Sequence, residues 1–145
     1  MKILYILLVL TTGVLLYSCN KEKVPDNDKE ETAANFELGI EKSFKINGKY
    51  QSDDYSLKFK LTDINDSRCP TDVICVWAGK ADVKIEVESP VTGSLVLSTI
   101  NNDFNKSIDT IGNYSFELID VLPYPISTQT IDLEDYDVKL KVKKI

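Results

Sequence analysis

From Phe36 onward, apolar and polar residues change places at every second position along much of the chain. In YSLKFKL, Tyr55, Leu57, Phe59 and Leu61 alternate with Ser56, Lys58 and Lys60. ADVKIEV sets Val83, Ile85 and Val87 against Lys84 and Glu86, and DYDVKLKV repeats the device with Tyr136, Val138, Leu140 and Val142. A period of two puts each set on one side of a strand, so these are strands with one buried and one wet face. FELGI, SFKI, LVLSTI and NYSFELIDV add candidates, the last with Tyr114, Phe116 and Leu118 in register. No segment carries a helical stripe; Leu133 to Tyr136 suit one turn of helix at most. Turn signals separate the runs at Asn47–Gly48, Ser89–Pro90 through Gly93, Asn101 to Asn105, Gly112–Asn113 and Pro123–Tyr124–Pro125. Asn47–Gly48 suits a two-residue hairpin turn. The pattern predicts an all-β domain over residues 36–145, an antiparallel sandwich or small barrel of six to eight strands with one disulfide.

The N-terminus follows another rule. Lys2 precedes an apolar run from Ile3 to Leu16, interrupted only by Thr11, Thr12 and Gly13, with the small residue Ser18 behind it. That is the layout of an export signal over residues 1–18, and the run is short for a membrane span. Leu16–Tyr17–Ser18–Cys19 resembles the lipobox of bacterial lipoproteins, which implies acylation of Cys19 and removal of the signal before it. Two or three acyl chains hold a protein firmly on a bilayer where one is marginal. The expected address is the cell envelope, lipid-anchored at the outer membrane on its periplasmic face or at the cell surface. Lys21 and Glu22 resemble the charged sorting signal of some surface lipoproteins of the Bacteroidetes. Residues 19–35 are rich in charge and Asn and lack any aromatic before Phe36, so they are expected to form a flexible tether.

Export decides how the remaining two cysteines read. Cys69 and Cys75 stand with five residues between them in DSRCPTDVICVWAGKADV, just before the only tryptophan. Zinc requires four ligands, and with no histidine and Cys19 acylated only two sulfurs remain. A thioredoxin-type centre requires C-x-x-C. In an oxidising compartment the pair is expected to be a staple, free thiols being the alternative. Trp77 is expected to pack its ring over that disulfide and seal one end of the core; its other possible use is as a ligand platform.

Asp66–Ser67–Arg68–Cys69–Pro70, then Cys75–Val76–Trp77–Ala78–Gly79, then Pro123–Tyr124–Pro125 resemble the hallmark of a family of small exported bacterial domains. The resemblance covers nearly all of the mature chain and implies a single domain; it implies no activity.

Composition narrows the chemistry. The 145 residues carry a formal net charge of −6 without a basic patch, which removes nucleic acid as a partner. The absence of histidine removes Ser–His–Asp and Cys–His catalysis and the commonest neutral metal ligand. No cofactor is expected. Asp63, Asn65 and Asp66 alternate oxygen-bearing side chains on what reads as a loop, a pattern that suits calcium or a capped turn. Asp53–Asp54 and the cluster Asp132, Glu134, Asp135 and Asp137 admit a carboxylate-based, glycosidase-like hydrolase, but abundant carboxylates are ordinary in an acidic domain. Tyr50, Tyr55, Tyr114, Tyr124 and Tyr136 either line a binding face or, where they point inward, pack in the core. The leading expectation is a binding or structural module of the envelope, its partner a protein or a glycan. Its contact loop is Ser67 to Val76, with Ser67, Arg68, Pro70 and Asp72 as its residues and Trp77 beside them.

Overall fold

The computed structural model describes residues 33–145. The expected signal segment, Cys19 and most of the expected tether therefore lie outside the described residues. Among the described residues, nine strands follow one another: β1 (Ala34–Phe36), β2 (Glu41–Lys45), β3 (Lys49–Ser52), β4 (Lys58–Asp66), β5 (Ala81–Ser89), β6 (Gly93–Ser98), β7 (Ile108–Ile111), β8 (Tyr114–Leu122) and β9 (Asp137–Lys144). The helical content of the described residues is one 3₁₀ turn at Leu133–Asp135, where a single turn was expected. Five strands form one sheet in the order β1-β3-β4-β5-β6, and four form the other in the order β2-β9-β8-β7. All pairings are antiparallel except that of β1 with β3. The sheets do not close, so the fold is a sandwich and not a barrel.

The strand count exceeds the expected six to eight because β3 and β7 are short edge-side strands of four residues with little alternation to betray them. FELGI, expected as a strand, leaves the sheet after Phe36 and turns through Gly39. Tyr55, assigned to the start of the fourth strand, sits in the preceding turn with φ 58°. There Asp54 accepts from the Ser52 and Ser56 hydroxyls at 2.6 Å each and from the Ser56 amide at 3.1 Å. Those donors hold its carboxyl at about 2.

Asn47–Gly48 does not close a hairpin. It turns the chain from β2 in one sheet to β3 in the other, with Asn47 in the left-handed region at φ 62°. The two-residue hairpin turn is at Gly112–Asn113, where Gly112 takes φ 56° and Ile111 pairs with Tyr114.

The inner faces interdigitate in one core. Phe36, Phe44, Tyr50, Phe59 and Phe116 form its aromatic centre, with ring centroids 4.7–5.6 Å apart and mostly edge-to-face. That geometry sets the positive ring edge against the negative face of its neighbour. Among the described residues, every buried apolar side chain lies between Phe36 and Val142 and belongs to this one core.

Two bulges re-aim side chains at one end of the sandwich. On β4 the pairing with β5 slips between Leu61 and Asp63, and on β8 the pairing with β9 slips between Leu118 and Asp120. An extra residue reverses the phase of alternation beyond it. Past the first bulge Ile64 and Asp66 point inward, while Asp63 and Asn65 face solvent. Past the second, Val121 points inward.

Candidate functional site

The bulge on β4 delivers a carboxylate to the end of the core, and Arg68 meets it there. The Arg68 Nε donates to Asp66 Oδ1 at 2.9 Å and its Nη2 to Oδ2 at 2.6 Å, a bidentate pair with both side chains about 5% exposed. The remaining donors reach across to the other sheet: Nη1 to the Val121 carbonyl at 2.6 Å and Nη2 to the Pro123 carbonyl at 2.9 Å. The guanidinium lies 4.2 Å from the centre of the Tyr124 ring. Tyr136 donates its hydroxyl to Asp66 Oδ2 at 3.2 Å, and the Arg68 amide donates to Oδ1 at 3.0 Å. Burial alone would raise the Asp66 carboxyl; donation from the Arg68 side chain and amide, the Arg68 charge and Tyr136 together outweigh it and hold the group low. Burial and the facing Asp66 charge push the Tyr136 hydroxyl up. Two of the three stretches singled out in the sequence, Asp66 to Pro70 and Pro123 to Pro125, are thus physically joined.

Arg68 was expected to present itself to a partner. It is instead 8% exposed, with its donors spent inside the domain. The calcium reading fails at its premise, because Asp63, Asn65 and Asp66 stand on a strand rather than a loop. The first two face away from the third, whose oxygens are occupied by Arg68 and Tyr136. Among the described residues, no three Asp, Glu or Cys side chains gather as a metal site requires.

Above this root stands the loop itself. Cys69 and Cys75 are bonded, with their Cα atoms 5.9 Å apart, so the staple is present as expected. Amide-to-carbonyl bonds lace the stem: Ser67 to Lys80 and Cys69 to Ala78, both at 2.8 Å. Ser67 adds its hydroxyl to the Lys80 carbonyl at 2.9 Å. Gly79 takes φ 67°, and a Cβ there would stand 1.8 Å from the Ser67 carbonyl oxygen, so only glycine lets the two legs of the stem approach. A second set of bonds ties the loop sideways to the segment after β8. The Thr71 amide donates to the Pro125 carbonyl at 3.0 Å. Asp72 accepts from the Ser127 amide at 2.8 Å and from its hydroxyl at 2.5 Å, which holds its carboxyl low.

Of the five residues expected to form the contact, Ser67, Arg68 and Asp72 therefore hold the loop in place and half-buried Pro70 begins its turn. Trp77 does not cover the disulfide. It is 82% exposed, because the Arg68–Tyr124 stack and Tyr136 already close the end of the core. Around it Ile74 and Val76 are almost wholly exposed and Val73 is partly so. These three lie inside the expected contact loop Ser67 to Val76 but were not singled out within it, although the signal was there. VICVW is an apolar run without alternation inside a loop too short to carry it into the core. Phe104, 94% exposed, was missed as well. It is held out by Asn102, whose Oδ1 accepts from the amides of Phe104 and Asn105 at 3.0 and 2.9 Å.

The five tyrosines divide. Tyr50, Tyr114 and Tyr136 are buried, whereas Tyr55 is exposed and Tyr124 half-covered beneath Arg68. What the arrangement offers is a rigid apolar tip on a polar, fully bonded root. No family model, no curated protein and no solved structure matches the chain.

Proposed function

We propose that this protein is a lipid-anchored cell-envelope lipoprotein that works as a binding module, with the tip of the stapled loop as its contact. The observation that carries the reading is the tip: Ile74, Val76 and Trp77 exposed on a loop whose root is fastened by a disulfide, a buried ion pair and the Asp72–Ser127 bonds. Apolar side chains held in water by a rigid frame gain free energy when a partner covers them, and a pre-ordered loop loses little entropy on binding. The anchor rests on Lys2, the apolar run and Leu16 to Cys19, and a Cys69–Cys75 bond accords with an oxidising compartment.

Two measurements on the full chain in bacterial cells test it. Metabolic labelling with an alkyne fatty acid should mark the protein, and Cys19→Ser should abolish the mark; an unmarked wild type would remove the anchor. A photo-cross-linker placed at Val76 should capture a neighbour that the same group placed at Lys58, far from the loop, does not. Equal yields at both positions would remove the tip as the contact.

A further inference from the structure

Strand register fixes the end of the sandwich at which β1 begins. Strand β1 pairs in parallel with β3, and β3 antiparallel with β4, so that Ala34, Tyr50 and Phe59 lie at one level. Strand β1 therefore runs opposite to β4, and its first residue, Ala34, lies on the side toward which β4 ends. That is the end that bears the stapled loop, since Asp66 pairs with Ala81 at its stem. The connection from β6 to β7 leaves from the same end, because Ser98 pairs with Asp82 next to that stem. The connection from β8 to β9 opens there too, where Leu122 pairs with Asp137 and Arg68 reaches Val121 and Pro123. The four most exposed large apolar side chains among the described residues, Ile74, Phe104, Val76 and Trp77, all belong to this end. The start of β1 and the apolar tip lie at the same end of the sandwich.

We propose that this end of the sandwich rests on the lipid bilayer that holds the acylated Cys19, with Ile74, Val76 and Trp77 entering the interface and Phe104 beside them. The inference builds on the lipid anchor proposed above and names the partner of that same tip. Lengths permit it. From Phe59 to Asp66 a strand rises about 23 Å, and the loop adds about 10 Å more. The fourteen residues from Asn20 to Ala33 reach at most about 50 Å when fully extended. The tether can therefore span the height of the domain with slack to spare. A tip held within that distance meets the bilayer at high local concentration, so weak insertion suffices.

The chemistry favours a particular surface. Between Asp72 and Lys80 the loop carries no charge, and its one aromatic is the residue most at home at a membrane interface. The surrounding connections expose Asp103, Asp132, Glu134 and Asp135. Lys80 and Lys106 at this end are paired with Asp82 and Asp109, which leaves an excess of negative charge. That excess disfavours anionic headgroups, and the fit is to a neutral, zwitterionic surface through apolar contact that salt does not weaken.

The test uses residues 20–145, which keep the whole described domain with its staple and lack Cys19, with vesicles of phosphatidylcholine. Trp77 is the only tryptophan, so its fluorescence reports the tip directly. With vesicles its emission should shift to the blue and be quenched by lipids brominated on their acyl chains. The affinity should be unchanged by 0.5 M salt and fall when phosphatidylglycerol is added. The double variant Ile74→Ser/Val76→Ser, which keeps Trp77, should weaken binding at least tenfold. An emission spectrum that vesicles leave unmoved overturns the inference, as does equal binding by the double variant. Self-association that buries Trp77 without vesicles also overturns it in favour of a second copy as the occupant. Because Cys19 is absent from this fragment, a negative result leaves the acylation measurement independent. Loss of a captured protein by the tip variants without vesicle binding would keep the module and replace its partner.

Discussion

The root and the tip of one loop are separated by only a few residues, yet they obey opposite rules. At the root, Asp66 and Arg68 are charged and buried; at the tip, Ile74, Val76 and Trp77 are apolar and exposed. Each choice is unfavourable alone. The buried charges survive because every guanidinium nitrogen and both carboxylate oxygens have a partner, and the Tyr124 ring covers the guanidinium. The exposed apolar groups survive because the disulfide and the Asp72–Ser127 bonds deny them a route to the core. The contrast teaches that polarity predicts location only where the backbone is free to choose.

Substitutions at the root should cost far more than substitutions at the tip. Arg68→Met leaves the Asp66 carboxylate buried without its partner and should destabilise the domain by about 3–5 kcal/mol in urea unfolding at pH 7. The deficit should narrow as the pH is lowered. In the wild type the low carboxyl of Asp66 contributes stability that is present above the ordinary aspartate range and is lost as pH falls through its lowered value. In the variant, burial without Arg68 raises that group, so acid relieves the strain instead. A deficit that does not change between pH 7 and pH 4 would mean that the pair is not what holds the root.

The staple comes next. Cys69→Ser/Cys75→Ser releases a seven-residue loop and should remove about 2 kcal/mol. The tip should then lose its affinity for its partner although its own residues are intact. Unimpaired binding would show that the Asp72–Ser127 and Thr71–Pro125 bonds suffice to shape it. Tyr136→Phe deletes a single bond to Asp66 and should cost about 1 kcal/mol in the same unfolding assay. At the small end, Ile74→Ser and Val76→Ser should change stability by no more than about 0.5 kcal/mol, because these side chains already stand in water. Binding lost with stability kept separates tip from root most sharply.

Much of this architecture is legible in the order of residues alone. The alternation of Phe59, Leu61, Val83, Ile85, Val138 and Leu140 marks the inner faces, and all six are buried. The spacing of Cys69 and Cys75, read with the expected export signal, marks the staple. Arg68 was placed wrongly because arginine beside a turn ordinarily reads as solvent-facing, and nothing local announces that Asp66, Val121 and Pro123 wait for it. Trp77 was placed wrongly for the complementary reason, since its expected site was already filled from a segment about fifty residues away.

Alternation is a property of consecutive residues, so the chain's local pattern was enough to specify an all-β domain, its inward faces and its disulfide. Which sheet each strand joins was settled only in three dimensions, as the turn at Asn47–Gly48 shows by passing between sheets where a hairpin was expected. So were the two bulges that turn Asp66 and Val121 inward, and the choice of which loop residues are root and which are tip. Those outcomes depend on partners distant in the chain, whose pairing no short stretch of sequence records.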